Sequence, residues 1–250
     1  MLTDLIKSWV QPFGVDIVKF PPLSSLARQL KAFFRLNEIN LVIDIGACDG
    51  GYCRFLRGPV EYSGRIVSFE PTKKTYDLLR SSMRSDAQWS GFNVGVSDKD
   101  GDGILNTYGE RYDFNSVLNM REKDALLYDV DTSKKGVEKV ALRCIDSVWN
   151  EITTGLENPR VYLKTDTQGH DRAVIRGVEP RLGSIFGIQS EIPAIEIYEG
   201  MTPMPDMLRY LGTLGYVPIG FHPVNQPDAY DGATPEFDVV FKRINLTEPT

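Results

Sequence analysis

An apolar run, Leu41-Val42-Ile43-Asp44-Ile45, breaks into Gly46-Ala47-Cys48-Asp49-Gly50-Gly51, and a lone acidic residue, Glu70, follows 24 residues after Gly46. A glycine turn between a strand and a helix lets a ligand approach the backbone and meet the free N–H groups of the helix start. A carboxylate at the tip of the next strand accepts hydrogen bonds from the two ribose hydroxyls of an adenosine. The pattern fits a dinucleotide or S-adenosylmethionine. The dinucleotide fingerprint wants glycine at its first, third and sixth places, and here the third place is Cys48. A pyrophosphate needs that close backbone approach, whereas a methionine moiety does not. Asp44, two residues before the glycine, also suits a cationic ammonium or sulfonium better than a phosphate.

Groups able to take a proton are few at the other strand tips. The chain has two histidines, His170 and His222. His170 follows Asp166 closely and starts a helix, which puts it at the carboxyl edge of a sheet, where doubly wound folds bind ligands; the plainer alternative is a polar helix start facing solvent. His222 falls in a turn between the last two strands. Asp166 and Glu191 end adjacent strands and would together offer oxygen ligands to Mg²⁺, or serve as hydrogen-bonding scaffolding. Ser116, in a long polar excursion, is expected to face the pocket, and Tyr198-Glu199-Gly200 to border an acceptor site. The acidic run Asp98–Asp102 reads as a solvated hairpin tip, and Cys53 and Cys144 as small apolar packing groups.

The elements that must position these residues alternate strand, glycine turn and helix. Short buried strands are expected at 41–45, 65–69 and 161–164, a third strand near 92–96, and others at 137–144 and 185–192. Helices are expected at 50–56, from the N-cap Thr72 to about Met83, and at 146–152, 170–177 and 204–214. Residues 97–135 are polar and glycine-rich, with a hairpin around Asp100–Gly103. The runs 216–221 and 237–242 are joined without room for a crossover helix, so that pair is antiparallel. Together they predict a class α/β, doubly wound Rossmann-like sheet of seven mixed strands with an antiparallel end. Residues 1–40 form a helical lead-in, with helices at 4–10 and 23–36 flanking Pro21-Pro22, packed on a main domain at 41–250 or closing over it as a lid.

Composition narrows the partners. A net charge of −6 gives no global attraction to phosphate backbones, so nucleic acid is not an expected partner. Three cysteines without a CxxC pair suggest reduced thiols in a cytoplasmic protein. No stretch approaches the ~20 apolar residues of a membrane span, so no membrane partner is expected either.

Further along, VYLKTDTQGHDRAVIRG, SEIPAIEIYEGMTP, LRYLGTLGYVPIGFHPV and EFDVVFKR stand in order after DIGACDGGY and SFEP. In these segments the chain resembles the FkbM family of methyltransferases over residues 40–243. The resemblance implies a class I fold that binds S-adenosylmethionine and transfers its methyl group to an oxygen of a small molecule or sugar. Asp44, Gly46 and Gly50 would line the methionine part, with Ala47 and Cys48 completing the loop. Glu70 would take the ribose, Asn93-Val94-Gly95 would border the adenine, and Asp166 would sit beside the reactive methyl. The chain departs from the family at Cys48, where asparagine is usual, and at His170, where aromatic or apolar residues are commoner. With methyl transfer as the reaction, His170 and Asp166 become the candidate catalytic residues, and Ser116, Glu191, Tyr198 and His222 the candidate acceptor contacts. An NAD-dependent oxidoreductase, a cofactor-binding protein without turnover and an RNA methyltransferase are the alternatives.

Overall fold

Leu41–Ile45 (β1) is buried at every residue, which is why it reads as an unbroken apolar run. In this computed structural model it lies at the centre of a sheet, paired in parallel with Arg65–Phe69 (β2) on one side and Val161–Thr165 (β7) on the other. The structure describes residues 9, 11–13, 24–108, 112–125, 135–224 and 234–244.

With Trp89–Phe92 (β3), Ile185–Pro193 (β8), Tyr216–Val224 (β9) and Glu236–Arg243 (β10), the sheet has seven strands in the order β3-β2-β1-β7-β8-β10-β9. β10 runs antiparallel to both neighbours. This is the expected doubly wound α/β sheet with an antiparallel end. One face carries helices Ser25–Leu36 (α1), Gly51–Arg57 (α2) and Lys73–Met83 (α3), packed through Leu30, Phe34, Leu56 and Leu79 onto Val42, Ile66 and Tyr162. The other carries Ile145–Ile152 (α4), Asp171–Val178 (α5) and Met204–Thr213 (α6), packed through Trp149, Ile175 and Leu211 onto Ile43, Leu163 and Ile188. Alternate residues of each central strand therefore serve opposite helical layers.

Three expectations need correction. The third strand of the sheet is 89–92, not 92–96; after Phe92 the chain leaves the sheet and Gly95–Val96 (β4) joins a separate one. That second sheet has the order β4-β6-β5, where Gly101–Tyr108 (β5) pairs antiparallel with Lys135–Arg143 (β6), so much of the excursion is regular structure. The acidic run is exposed over 99–102 but is not a hairpin tip, because β4 and β5 each pair with β6; it is anchored where Asp100 Oδ1 accepts from Cys144 N at 2.7 Å and Ser147 Oγ at 2.8 Å and where Asp98 pairs with Arg176 at 2.9 Å. The helix expected at 4–10 lies outside the described residues except for Trp9, as does the turn at Pro21-Pro22. Among the described residues no helix is long and apolar enough to cross a membrane.

Candidate active site

The turn after β1 is set by close backbone contacts. Gly46 N and Ala47 N both donate to Phe69 O, at 3.0 and 3.1 Å, which ties the loop to the tip of β2. Gly46 has φ +76°, and a Cβ there would lie 1.8 Å from the Asp166 carbonyl oxygen, so glycine is the residue that fits. Cys48 also adopts a left-handed conformation, φ +48°, and Gly50 follows with φ +89°. The loop thereby turns Cys48 N onto Glu70, whose Oε2 accepts it at 3.0 Å. Glu70 Oε1 accepts from Thr72 N at 3.0 Å and Thr75 Oγ1 at 2.6 Å. Burial pushes the Glu70 carboxyl above the usual range, against the pull of those three bonds. A carboxylate offers about four acceptor positions, so one remains on Oε2 for a ligand hydroxyl.

A second polar layer stands at the tip of β7. Asp44 and Lys164 face each other across the β1–β7 pairing, with Lys164 Nζ 3.5 Å from Asp44 Oδ1 and 3.3 Å from Asp166 Oδ2. Burial pulls the lysine pKa down, but Asp166, Asp44 and Asp238 outweigh it and hold the ammonium firmly charged. Burial raises Asp44 despite Lys164. Gln168 Nε2 donates to both Asp166 Oδ1 and Glu191 Oε2, each at 2.9 Å, and its Oε1 accepts from Tyr198 OH at 2.9 Å. Burial, then the charge of Asp166, drives the Glu191 carboxyl well above its ordinary value.

Two clefts open at this edge. The first, about 280 Å³, is lined by Gly46, Cys48, Glu70, Gly95, Asp166, His170 and Glu191. The second, about 360 Å³, is lined by Ala47, Tyr52, Phe55, Lys164, Gln189 and Asp238. Gly46, Cys48, Asp166 and Glu191 line both.

The structure brings together most of the residues singled out from sequence. Asp44, fully buried, lies beneath the clefts and acts through Lys164, and Gly50 supplies the left-handed turn before α2. His170 is the N-cap residue of α5 and lies in the wall of the first cleft, with Nε2 3.0 Å from Ser97 Oγ; burial lowers its pKa, so the imidazole is neutral at pH 7. Burial and the neighbouring Glu70 push the Cys48 thiol up to about 11, which keeps it protonated. Asn93 and Val94 line neither cleft: Asn93 Nδ2 donates to Glu70 O and Pro71 O, and Val94 packs on the core.

Ser116 does not face the pocket. It is buried, donating to Gln168 O at 2.6 Å and accepting from Leu118 N at 3.0 Å. Tyr198 is fully buried and lines neither cleft; its hydroxyl reaches two lining residues, Gln168 Oε1 at 2.9 Å and Phe114 O at 3.1 Å. His222 is part of β9, not a turn, and its ring bonds Ser25 Oγ at 2.9 Å and Gln29 Oε1 at 2.7 Å on α1, so it lines neither cleft. The expected Mg²⁺ pair, Asp166 and Glu191, is bridged by the Gln168 amide, and among the described residues no three His, Cys, Asp or Glu side chains are grouped to hold a metal.

Lys164, Gln168, Tyr52 and Gln189 were not singled out. The signal for Lys164 was available: a lysine inside the apolar run VYLKT, where a lone buried charge requires partners.

The glycine cradle, the remaining acceptor on Glu70 and the net negative rim fit S-adenosylmethionine, which brings ribose hydroxyls and two cationic groups. A family model for the FkbM methyltransferase domain matches residues 44–218. No curated protein matches the chain. Among solved structures, the FkbM methyltransferase of Methylobacillus flagellatus is 15% identical, with 82% of this chain and 44% of that one covered and a TM-score of 0.48. The chain thus spans less than half the length of that relative. A magnesium protoporphyrin IX methyltransferase from Synechocystis with bound SAM gives 11%, 97%, 95% and 0.44, and a Streptococcus mutans methyltransferase in complex with SAH gives 12%, 91%, 100% and 0.45.

Proposed function

We propose that this chain, which belongs to the FkbM methyltransferase family, methylates a hydroxyl group of a small molecule or sugar. S-adenosylmethionine, when bound, supplies an electrophilic methyl group and leaves as the thioether S-adenosylhomocysteine. The chain must hold an acceptor oxygen in line with that methyl and take its proton as the new bond forms.

The observation that carries the reading is the position of Asp166, whose carboxylate lies on the wall common to both clefts. Lys164 behind it and Gln168 beside it fix the carboxyl orientation through bonds to opposite oxygens. An acceptor hydroxyl donating to Asp166 would give up its proton there, leaving its lone pair directed at the cofactor cleft. His170 is the other candidate base. It lines only the first cleft, with Nε2 engaged by Ser97 Oγ, so we assign Asp166 the proton and His170 the cofactor wall.

The test is incubation with methyl-labelled S-adenosylmethionine and a panel of hydroxylated small molecules. The reading expects label in an alkali-stable ether. Label found in an amine, a thiol or RNA overturns it.

A further inference from the structure

The first cleft, at about 280 Å³, lies just below the roughly 300–1,000 Å³ typical of small-molecule pockets. A cofactor of nucleoside-plus-amino-acid size fills it, so the acceptor needs a volume of its own. The second cleft, about 360 Å³, shares Asp166 and Glu191 with the first and continues past them on the α1–α2 side of the sheet.

Its two walls differ in chemistry. Leu26 of α1 and Tyr52 and Phe55 of α2 form the helical wall; all three are half-buried, and the two rings lie 5.9 Å apart, tilted by 34°. The strand wall carries polar side chains. Gln189 accepts from Tyr52 OH at 2.8 Å, Asp238 stands beside it, and Lys164 Nζ sits 5.2 Å from the Tyr52 ring centroid. An aromatic and aliphatic wall facing carboxyl groups suits a ligand with C–H groups on one face and hydroxyls at its edge. Charge narrows the class further. Lys164 is the cation lining the cleft among the described residues, and Asp44 and Asp166 already hold it. A phosphate or carboxylate would face Asp166 and Asp238 with no free cation to meet it, at the cost of like-charge repulsion.

We propose that this second cleft is the acceptor site and that the acceptor is an uncharged pyranose sugar, ring face on Tyr52 and Phe55, hydroxyls on Asp238 and Asp166. The assignment rests on the O-methylation reading above and deepens it.

Saturation-transfer NMR tests it on the protein loaded with S-adenosylhomocysteine, using methyl glucopyranoside, galactopyranoside, mannopyranoside, rhamnopyranoside and xylopyranoside as probes. Glucose 6-phosphate serves as the charged control, and methyl transfer to each probe is measured in parallel. At least one neutral pyranoside should bind and the phosphate should not. Phe55→Ala and Leu26→Trp should each weaken that binding by roughly tenfold or more while leaving S-adenosylhomocysteine affinity unchanged. Leu26→Trp fills the cleft from a half-buried rim, so it keeps the test valid if Phe55→Ala melts early. Binding of none of the probes overturns the assignment, as does binding that both variants leave intact or that S-adenosylhomocysteine displaces. Cleft binding without any methyl transfer to a hydroxyl would keep the site and sink the O-methylation reading. Transfer to a hydroxyl that both variants leave unchanged would do the reverse.

Discussion

Gly46 and Asp166 meet through their backbones: a Cβ added to the glycine would lie 1.8 Å from the aspartate carbonyl oxygen. The contact joins the tips of β1 and β7 at the edge of the cofactor cleft, which both residues line. Gly46→Ala must push the two tips apart and also hold an L-residue at φ +76°, which alone costs about 1–2 kcal/mol. The expected outcome is loss of S-adenosylhomocysteine binding by calorimetry and a melting temperature lower by several degrees. An alanine variant that binds normally would mean the tips tolerate separation.

Asp166 and His170 are separable by kinetics. If Asp166 takes the acceptor's proton, Asp166→Asn should lower turnover by about 10²–10⁴-fold with cofactor affinity little changed. His170→Ala should then cost less than about tenfold in turnover. The opposite ranking would return the proton to the imidazole.

Asp171 gives the fold a pH dependence of calculable sign. It is 4% exposed at the start of α5, and burial pushes its carboxyl up to about 6, against hydrogen bonds from Thr165 and Thr167. A raised folded-state value means the native state holds the proton more tightly than the unfolded chain. The stabilisation is therefore complete below about pH 4 and is lost as the pH rises through about 6. At about 1.36 kcal/mol per pH unit the swing is on the order of 2–3 kcal/mol. Asp171→Asn should remove that swing, seen as a flatter melting temperature between pH 4 and 7 than in the parent chain. Identical profiles would show that Asp171 titrates normally.

Cys48 carries a cost that another residue would reduce. At φ +48° it sits where asparagine is several-fold enriched among non-glycine residues. Cys48→Asn should stabilise the chain by up to about 1 kcal/mol, or roughly 2–4 °C in melting temperature for a chain of this size. A lower melting temperature would show that the thiol's packing outweighs its backbone strain.

The glycine loop, Glu70 and Asp166 were legible in the sequence because buried parallel strands leave unbroken apolar runs, and a doubly wound sheet gathers its ligand site at their tips. What stayed hidden depends on register and on side-chain reach. Asp44 and Lys164 lie 120 positions apart and become partners only because β1 and β7 align them as neighbours. Ser116 and Tyr198 read as loop polars facing the pocket, but bonds to Gln168 hold both buried behind it. His222-Pro223 reads as a turn, yet β9 is an edge strand, where proline costs no ladder bond on the open side. The polar stretch after Phe92 concealed a change of sheet, because β4 is two residues long and leaves no periodic signal.

The central claim is tested most directly by calorimetric titration of the purified chain with S-adenosylhomocysteine and, separately, with NAD⁺. The account predicts one site for S-adenosylhomocysteine at about micromolar affinity, near −8 kcal/mol, and no heat from NAD⁺. Binding of NAD⁺ in its place, or of neither ligand by a folded sample, would contradict it.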